Sequence, residues 1–340
     1  MLTGLFVITE NTVCTLSNPS ISDHSHFLRE SNESNPSFGT IPLTEISMLG
    51  SHDALSDDIH YWSTPNSSED NMVNSLGLRL VAKGLMVRLA KAQQHNIYDQ
   101  LVAGVRYIDA RITYVDGEYY TSHGLISNTL EHNLSLILKF LHENPGEFVL
   151  FDINNYYPGT STFQELVEYI STIKYEGKNL YDYVNYDEGI TQFKNLNYNN
   201  ITNNGNGAGV VLFSDQGNRT GLFNQLDISK VRSKWHNKSS NEEINILIRE
   251  EATYSASLGE DYLRINQAQQ TPSPKEVWST FVNWSLLHAA KIHNTDLLNK
   301  PYINEVIDGM PIYMCDFVTS DYDNFNNRII DLMLTRNKNL

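Results

Sequence analysis

Five residues of three chemical types stand at or near the predicted ends of apolar stretches. His52 and Asp53 follow IPLTEISML, Arg111 lies near the end of VRYIDARI, His123 lies in the short loop TSHG, and Asp316 follows IYMC. A neutral histidine can accept a proton from a hydroxyl group, and a protonated histidine can give one to a leaving oxygen. An arginine can hold two phosphate oxygens. The set is suited to attack on a phosphodiester, although spacing alone assigns neither carboxylate to either histidine.

Apolar stretches recur along the chain and predict the elements that position these residues. Polar loops follow several of them, and a helical spacing follows in turn, most clearly over residues 132–147. Continuous apolar strands separated by amphipathic helices indicate a parallel sheet that is covered on both faces. We therefore predict an α/β fold, a TIM-type (β/α) barrel that is distorted or incompletely closed, with strands in the stretches 44–50, 105–112, 148–154, 209–215, 262–268 and 310–318.

The predicted domain organisation is simple. Residues 1–37 contain a stretch dense in Ser, Asn, Pro and His, which predicts a flexible or irregular N-terminal extension. Residues 38–340 form the predicted barrel. Barrels of this class build their sites at the C-terminal ends of the strands. A single histidine is usually a surface or core residue, but five suitable side chains at these ends favour a shared active site.

Composition excludes several classes of protein. The formal net charge is −16, with 24 Lys and Arg residues against 40 Asp and Glu residues, which argues against a nucleic-acid-binding surface. A membrane-spanning helix needs about 18 consecutive apolar residues, and no apolar stretch in this sequence is that long. Cys14 and Cys315 are too few for a disulfide framework or a cysteine-rich zinc site. The N-terminus lacks a basic residue ahead of its short apolar run, so no clear signal peptide is predicted.

The chain resembles the X domain of phosphatidylinositol-specific phospholipase C, particularly its bacterial, single-domain type. The resemblance spans roughly residues 41–318 and follows the family's order and spacing. It favours a secreted or extracellular location, which otherwise stays open. A monomer is also predicted. The stretches that carry the resemblance are IPLTEISMLGSHDA, IYDQLVAGVRYIDARI, SHG at 122–124, LKFLHENPGEFVLFDI, INQAQQTP at 265–272 and IYMCDF at 312–317.

The resemblance implies a role for each of the five residues. His52 would be the general base acting on the inositol 2-hydroxyl, with Asp316 orienting it, and His123 would be the general acid, with Asp53 as its partner. Arg111 would bind the phosphate. The implied reaction is that of a phosphatidylinositol diacylglycerol-lyase, which releases diacylglycerol and a cyclic inositol phosphate because an internal hydroxyl is the nucleophile.

The resemblance also implies that the enzyme needs no metal and no cofactor. In the calcium-dependent relatives the second strand ends with two acids, two residues apart, whereas this chain has Asp109 and Arg111 at those positions. An Asp stands at position 53 where those relatives have an Asn. A guanidinium at a ligand position supplies the positive charge itself, so we predict metal independence, with Asp109 as a supporting acid.

Headgroup recognition is where the sequence departs from the family. The bacterial enzymes have a lysine after the third strand and an arginine after the fourth, and this chain offers amides, a hydroxyl and a carboxylate instead. Such groups can hydrogen bond to a sugar-like ring, although the ring specificity is then open. The predicted substrate-binding residues are Asn154, Asn155, Ser214 and Asp215, together with Trp235 as a wall of the pocket.

The predicted partner is a phospholipid at a membrane surface. Residues 71–92 carry Arg79, Lys83, Arg88 and Lys91 and no acid, which is typical of a helix on anionic lipid. An ordinary barrel helix with solvated charges has the same pattern, so both interpretations stay open. Two other functions also stay open: a phosphodiesterase with a different headgroup specificity, and a catalytically silent inositol-lipid-binding member of the fold.

Overall fold

The computed structural model describes residues 21–69, 83–273, 285–320 and 322–340. Within these ranges the strands form one nine-stranded sheet. In chain order they are β1 Met48–Ser51, β2 Val105–Val115, β3 Glu118–His123, β4 Leu125–Thr129, β5 Phe148–Tyr157, β6 Gly209–Ser214, β7 Val231–Ser233, β8 Leu263–Gln267 and β9 Ile312–Cys315.

The sheet curls into a barrel that does not close. Its parallel strands follow the order β6-β5-β2-β1-β9-β8-β7, and no pairing joins β6 to β7 within the described residues. The prediction of an incompletely closed α/β barrel is therefore confirmed. All of these strands run in one direction, so their C-terminal ends lie at the same mouth. The sequence pattern missed β7, because its three residues are too short for a periodic signal.

A β-hairpin stands above the mouth. The distal half of β2 pairs antiparallel with β3, and β3 pairs antiparallel with β4. The sequence placed His123 in a loop, and the structure corrects this: His123 is the last residue of β3. Gly124 then turns the chain into β4 with a φ of 69°, a backbone conformation that glycine adopts without strain. His123 is thus held by a sheet.

Helices cover the outside of the barrel. In chain order they are α1 Phe27–Ser34, α2 Lys83–Ala90, α3 Ile97–Val102, α4 Leu130–Glu143, α5 Phe163–Thr172, α6 Tyr198–Thr202, α7 Asn241–Leu258, α8 Leu286–Leu298, α9 Ile303–Gly309 and α10 Phe325–Lys338. Short 3-10 helices lie at Phe38–Thr40, Leu43–Glu45, Leu180–Tyr183, Phe193–Asn195, Gly221–Asn224, Ile228–Lys230 and Gly259–Asp261. No helix in the described ranges is long and apolar enough to cross a membrane.

The strands bury both faces, as their continuous apolar runs predict. Tyr107 and Leu150 belong to a core cluster that fills the barrel, while Ile108 and Phe151 belong to a second cluster beneath α3, α4 and α5. The helical spacing predicted at residues 132–147 is confirmed by α4. Its apolar face packs into the second cluster through Leu134, Ile137, Leu138 and Leu141.

Part of the predicted N-terminal extension is ordered against the barrel. Residues 27–34 form α1, with Phe27 and Leu28 buried in the core, and this differs from the irregular segment that the sequence predicts. The buried pair of Arg106 and Glu147 explains the order. Glu147 accepts hydrogen bonds from the backbone of Leu28 and Arg29 in the first turn of α1, which satisfies helix N–H groups that have no partner within the helix.

Candidate active site

The end of β1 presents two adjacent side chains to one site because the backbone turns sharply. Asp53 has a φ of 43°, in the left-handed region that Asp tolerates better than most residues. Asp109 on β2 supports this turn: its Oδ2 accepts the Asp53 backbone N–H at 2.9 Å, and its carbonyl accepts the Ala54 N–H at 3.0 Å. Asp109 itself is fully buried. The strained turn is thus stabilised by the neighbouring strand.

The first histidine contacts its predicted carboxylate. His52 Nδ1 lies 2.7 Å from Asp316 Oδ1, so a hydrogen on Nδ1 points to the carboxylate and Nε2 faces the mouth. Gln93 fixes the two strand ends that carry this pair, because its amide donates to the carbonyls of His52 and Cys315 at 2.8 and 3.2 Å. Gln93 is fully buried. No sequence pattern indicates Gln93, since it lies in an irregular segment after α2.

The second histidine stands opposite the first. His123 Nδ1 donates to the carbonyl of Ala90 at the end of α2, at 2.7 Å, which leaves Nε2 facing the site. This Nε2 lies 3.2 Å from Asp53 Oδ2. The ring centroids of His52 and His123 are 6.0 Å apart, with the ring planes nearly perpendicular. Each ring therefore has its Nδ1 anchored and its Nε2 turned toward the site, where a proton can be exchanged.

Asp53 is shared more widely than the sequence predicts. Its Oδ2 lies 3.3 Å from His52 Nε2 as well as close to His123, and its Oδ1 contacts Arg111 Nε. Arg111 Nη2 lies 3.2 Å from His52 Nε2. Asp53 is 2% exposed and contacts all three of these side chains. It serves both histidines and the arginine rather than His123 alone.

The carboxylates determine the charge state of the site. Burial lowers the pKa of His52, but Asp53 and Asp316 outweigh burial and raise that pKa to about 9. Burial also raises the pKa of Asp53, although Arg111 and both histidines oppose this effect. Asp53 and its neighbours raise the pKa of Arg111 above its ordinary value, so the guanidinium stays charged. The resting site therefore favours a protonated His52 near neutral pH.

A loop acid also supports the site, and sequence reasoning missed it. Glu69 is buried and accepts the backbone N–H of Gly124 at 2.6 Å, directly after His123. Its other oxygen lies 3.9 Å from Arg111 Nη1. Glu69 thus contributes a further carboxylate near the guanidinium of Arg111. It stands in the polar stretch NSSED, where no periodicity distinguishes a buried acid from a solvated one.

One group of ligand atoms could hold a metal ion. Among the described residues, His52, Asp53 and Asp109 offer ligand atoms within 4.8 Å of one another. Arg111 contacts two of these side chains, Asp53 through Nε and His52 through Nη2. A cation bound there would face the guanidinium across the same atoms, and like charges at such distances repel. The donor set therefore fits a metal ion poorly while Arg111 occupies this position.

The two histidines and Arg111 open into a cavity of about 1000 Å³. Three of the predicted substrate-binding residues, Asn154, Asn155 and Trp235, are among its lining residues. A β-bulge helps to place the asparagines, because the register of β2 and β5 shifts between Ala110 and Arg111, which pairs Arg111 with Asn155. Bulges next to active sites change the direction of side chains in this way.

The structure places the other two predicted contacts outside the cavity. Ser214 is fully buried, and its hydroxyl donates to the carbonyl of Ile153 at 2.6 Å. Asp215 is exposed beyond the end of β6, where it accepts a hydrogen bond from Gln216. Neither is among the residues that line the cavity. Ser214 is thus corrected from a headgroup contact to a hydrogen bond between strands, because its side chain points into the sheet packing.

Known proteins are similar to parts of this chain. The chain is 37% identical over 142 residues to PI-PLC X domain-containing protein 3 of Danio rerio, covering 39% of this chain and 44% of that protein. It is 38% identical over 129 residues to the Homo sapiens protein of the same name, covering 36% and 40%. Both comparisons thus span less than half the length of the curated relatives. No family model matches the chain.

Solved structures share the fold over most of the chain. Phosphatidylinositol-specific phospholipase C from Listeria monocytogenes superposes with a TM-score of 0.61 at 21% identity, covering 86% of this chain and 95% of that one. A mutant of the Staphylococcus aureus enzyme gives 0.60 at 16% identity, covering 90% and 99%. These comparisons support the PI-PLC X-domain family. The resemblance predicted from the sequence is therefore supported by the curated relatives over about two fifths of the chain, and the solved structures share the predicted fold.

For this PI-PLC X-like chain, the predicted membrane helix is only partly described. Residues 71–82 lie outside the described ranges. From residue 83 onward, α2 buries Met86 and Ala90 against Ile59 and Leu125, and Leu89 lines the cavity. The described part of the predicted segment is therefore an amphipathic helix packed beside the mouth, and its contact with lipid is a proposal taken up below.

Proposed function

We propose that this protein cleaves phosphatidylinositol, or a related inositol phospholipid, to diacylglycerol and a cyclic inositol phosphate. The observation that carries the proposal is the pair of histidines across one cavity, His52 and His123, each with one anchored nitrogen and with Arg111 beside them. General acid and base catalysis needs such an opposed pair, and phosphate transfer needs a cation that stabilises developing charge.

His52 would accept the proton of the inositol 2-hydroxyl as this oxygen attacks phosphorus. Its Nε2 is the nitrogen that faces the cavity, because Nδ1 is occupied by Asp316. The P–O bond to diacylglycerol would then break, and His123 Nε2 would donate a proton to the leaving oxygen. Asp316 and Asp53 would stabilise the two imidazolium forms. Arg111 would hold the equatorial phosphate oxygens.

We further propose that the reaction needs no metal ion. Arg111 supports this proposal, because its guanidinium contacts two of the three side chains that could bind an ion. A permanently charged group at this position performs the electrostatic role of a cation without the need for coordination.

A phospholipid substrate requires contact with a membrane, and the rim of the mouth offers suitable side chains. Trp62 is 76% exposed and stacks edge-on against Tyr61. The loop that carries them is tied to the active-site hairpin, since Ile126 donates to the Thr64 carbonyl at 2.8 Å. Exposed aromatic side chains are typical of membrane interfaces. We propose that this rim, with α2 beside it, contacts the lipid surface.

The proposal is tested with phosphatidylinositol vesicles in the presence of EDTA. Purified protein should release diacylglycerol and cyclic inositol phosphate, identified by phosphorus NMR, and added calcium should not be required. Activity that appears only with calcium would contradict metal independence. A panel of other phospholipids in the same assay separates the alternatives: cleavage of a different headgroup indicates changed specificity, and binding to vesicles without cleavage indicates a silent lipid-binding member.

A further inference from the structure

The cavity wall opposite Asn154 and Asn155 consists of the segments that follow β7 and β8. Backbone and side-chain bonds join these segments to each other. Thr271 donates its N–H to the Lys238 carbonyl at 2.8 Å, and Trp235 Nε1 donates to the Thr271 hydroxyl at 2.8 Å. Lys238 also forms an ion pair with Glu243 at 3.1 Å. This wall is therefore held in place before any ligand binds.

A chain of side-chain amides runs through this wall. Gln267 Nε2 donates to the Ser233 hydroxyl at 2.8 Å, and Gln269 Nε2 donates to Gln267 Oε1 at 2.9 Å. Both donors point in the same direction along this amide chain, from Gln269 through Gln267 to Ser233. The hydroxyl of Ser233 thus orients the amide of Gln267, and Gln267 in turn orients the amide of Gln269.

Gln269, the first donor of this amide chain, carries an acceptor without a partner. Gln269 is 4% exposed and lines the cavity, and its Oε1 is buried with no hydrogen bond among the described residues. Gln267 already holds the amide nitrogen of Gln269, so Oε1 remains as the free atom. Leaving a buried acceptor without a partner is unfavourable. A ligand that donates a hydrogen bond to Gln269 Oε1 would remove this penalty.

The structure assigns Gln269 as a specificity-determining residue that accepts a hydrogen bond from a ring hydroxyl of the headgroup. This inference rests on the proposed function and deepens it. Hydroxyl groups of a polyol can donate to an amide oxygen, whereas phosphate oxygens cannot. The facing wall supplies amides at Asn154 and Asn155 instead of cations, and Ser214 is buried. Recognition of the neutral ring would thus depend on the wall after β8.

The test combines a variant with altered substrates. Wild type and Gln269→Leu are assayed on phosphatidylinositol and on analogues that each lack one ring hydroxyl other than the 2-hydroxyl nucleophile. One analogue should be cleaved about tenfold more slowly than phosphatidylinositol by wild type. Gln269→Leu should cleave phosphatidylinositol about tenfold more slowly than wild type, and it should no longer distinguish that analogue.

Controls separate a folding defect and a wrong function from a wrong inference. Gln164→Leu makes the same substitution on the exposed face of α5 and should behave as wild type. Thermal unfolding checks that Gln269→Leu is folded, and Gln269→Ala provides a second variant that leaves more space. If wild type is active and both Gln269 variants keep its full discrimination among analogues, the inference is overturned. If wild type cleaves no inositol lipid, the proposed function fails instead.

Discussion

At the scale of residues, the proposed chemistry depends on which nitrogen of each histidine faces the site. Asp316 anchors Nδ1 of His52, and the carbonyl of Ala90 anchors Nδ1 of His123. Both Nε2 atoms then lie near Asp53 Oδ2, at 3.3 and 3.2 Å. The site in its free state is therefore a network with one shared carboxylate, and a substrate phosphate would have to enter beside it.

Removing either histidine should lower the rate strongly. His52→Ala and His123→Ala should each reduce kcat by at least about 10², since each removes a general acid or base. Release of cyclic inositol phosphate from vesicles measures the effect. His288→Ala is the matched control, because His288 is exposed on α8, and it should keep the wild-type rate. A decrease of only a few-fold for both site variants would contradict their assigned roles.

The pH dependence of kcat/KM should reflect the pKa of His52, which the carboxylates around it raise. A base must be unprotonated, so kcat/KM should rise with pH through the pKa of His52, which the neighbouring carboxylates raise to about 9. Asp316→Asn removes one negative charge, which lowers this pKa and moves the rising limb to lower pH, while the lost anchor lowers the maximal rate. If the rising limb of the pH profile lies at the same pH in Asp316→Asn as in wild type, a group other than His52 controls it.

At the scale of elements, the ends of the strands are held by side chains from segments without regular spacing. Gln93 joins the ends of β1 and β9, and Glu69 joins the loop after β1 to the end of β3. The N-terminal segment is joined to the barrel in a similar way by Arg106 and Glu147, which are both fully buried. Each of these contacts fixes an element that the apolar pattern alone leaves free.

Breaking the buried ion pair should destabilise the protein without changing the site. Glu147→Gln leaves the Arg106 charge uncompensated and weakens the capping of α1, so the free energy of unfolding should fall by about 3 kcal/mol. Urea denaturation followed by circular dichroism measures this change. Glu188→Gln, at an exposed acid, should be neutral. Equal stability of the two variants would contradict the role given to the pair.

At the scale of the whole molecule, an open mouth and an exposed aromatic rim lie at the same end of the barrel. Trp62 is exposed near the hairpin that carries His123, and Trp235 is 55% exposed on the opposite wall of the cavity. The net charge of −16 does not favour anionic lipid. Apolar insertion is therefore expected to contribute more to membrane contact than overall electrostatic attraction.

Truncating the rim should weaken membrane binding and leave the chemistry intact. Trp62→Ala should reduce the affinity for phosphatidylinositol vesicles roughly tenfold, because a large apolar side chain no longer enters the interface. Vesicle sedimentation measures the affinity, and a short-chain soluble substrate should be cleaved at the wild-type rate. Tyr254→Ala removes another exposed aromatic, on α7, and should bind as wild type. Equal binding by both variants would exclude this rim.

The sequence by itself predicted the fold class, the resemblance to the PI-PLC X domain and the five residues at the mouth. Buried parallel strands have continuous apolar sequences, and their C-terminal ends lie together at one mouth of the barrel. Residues far apart in the chain could therefore be placed together without coordinates. Only the tertiary structure decided that Asp53 serves both histidines, that Ser214 points into the sheet, and that Glu69, Gln93 and Gln269 belong to the site. These side chains lie on turns and loops, or depend on which way a strand end points. Their neighbours are set by long-range contacts that no local spacing records.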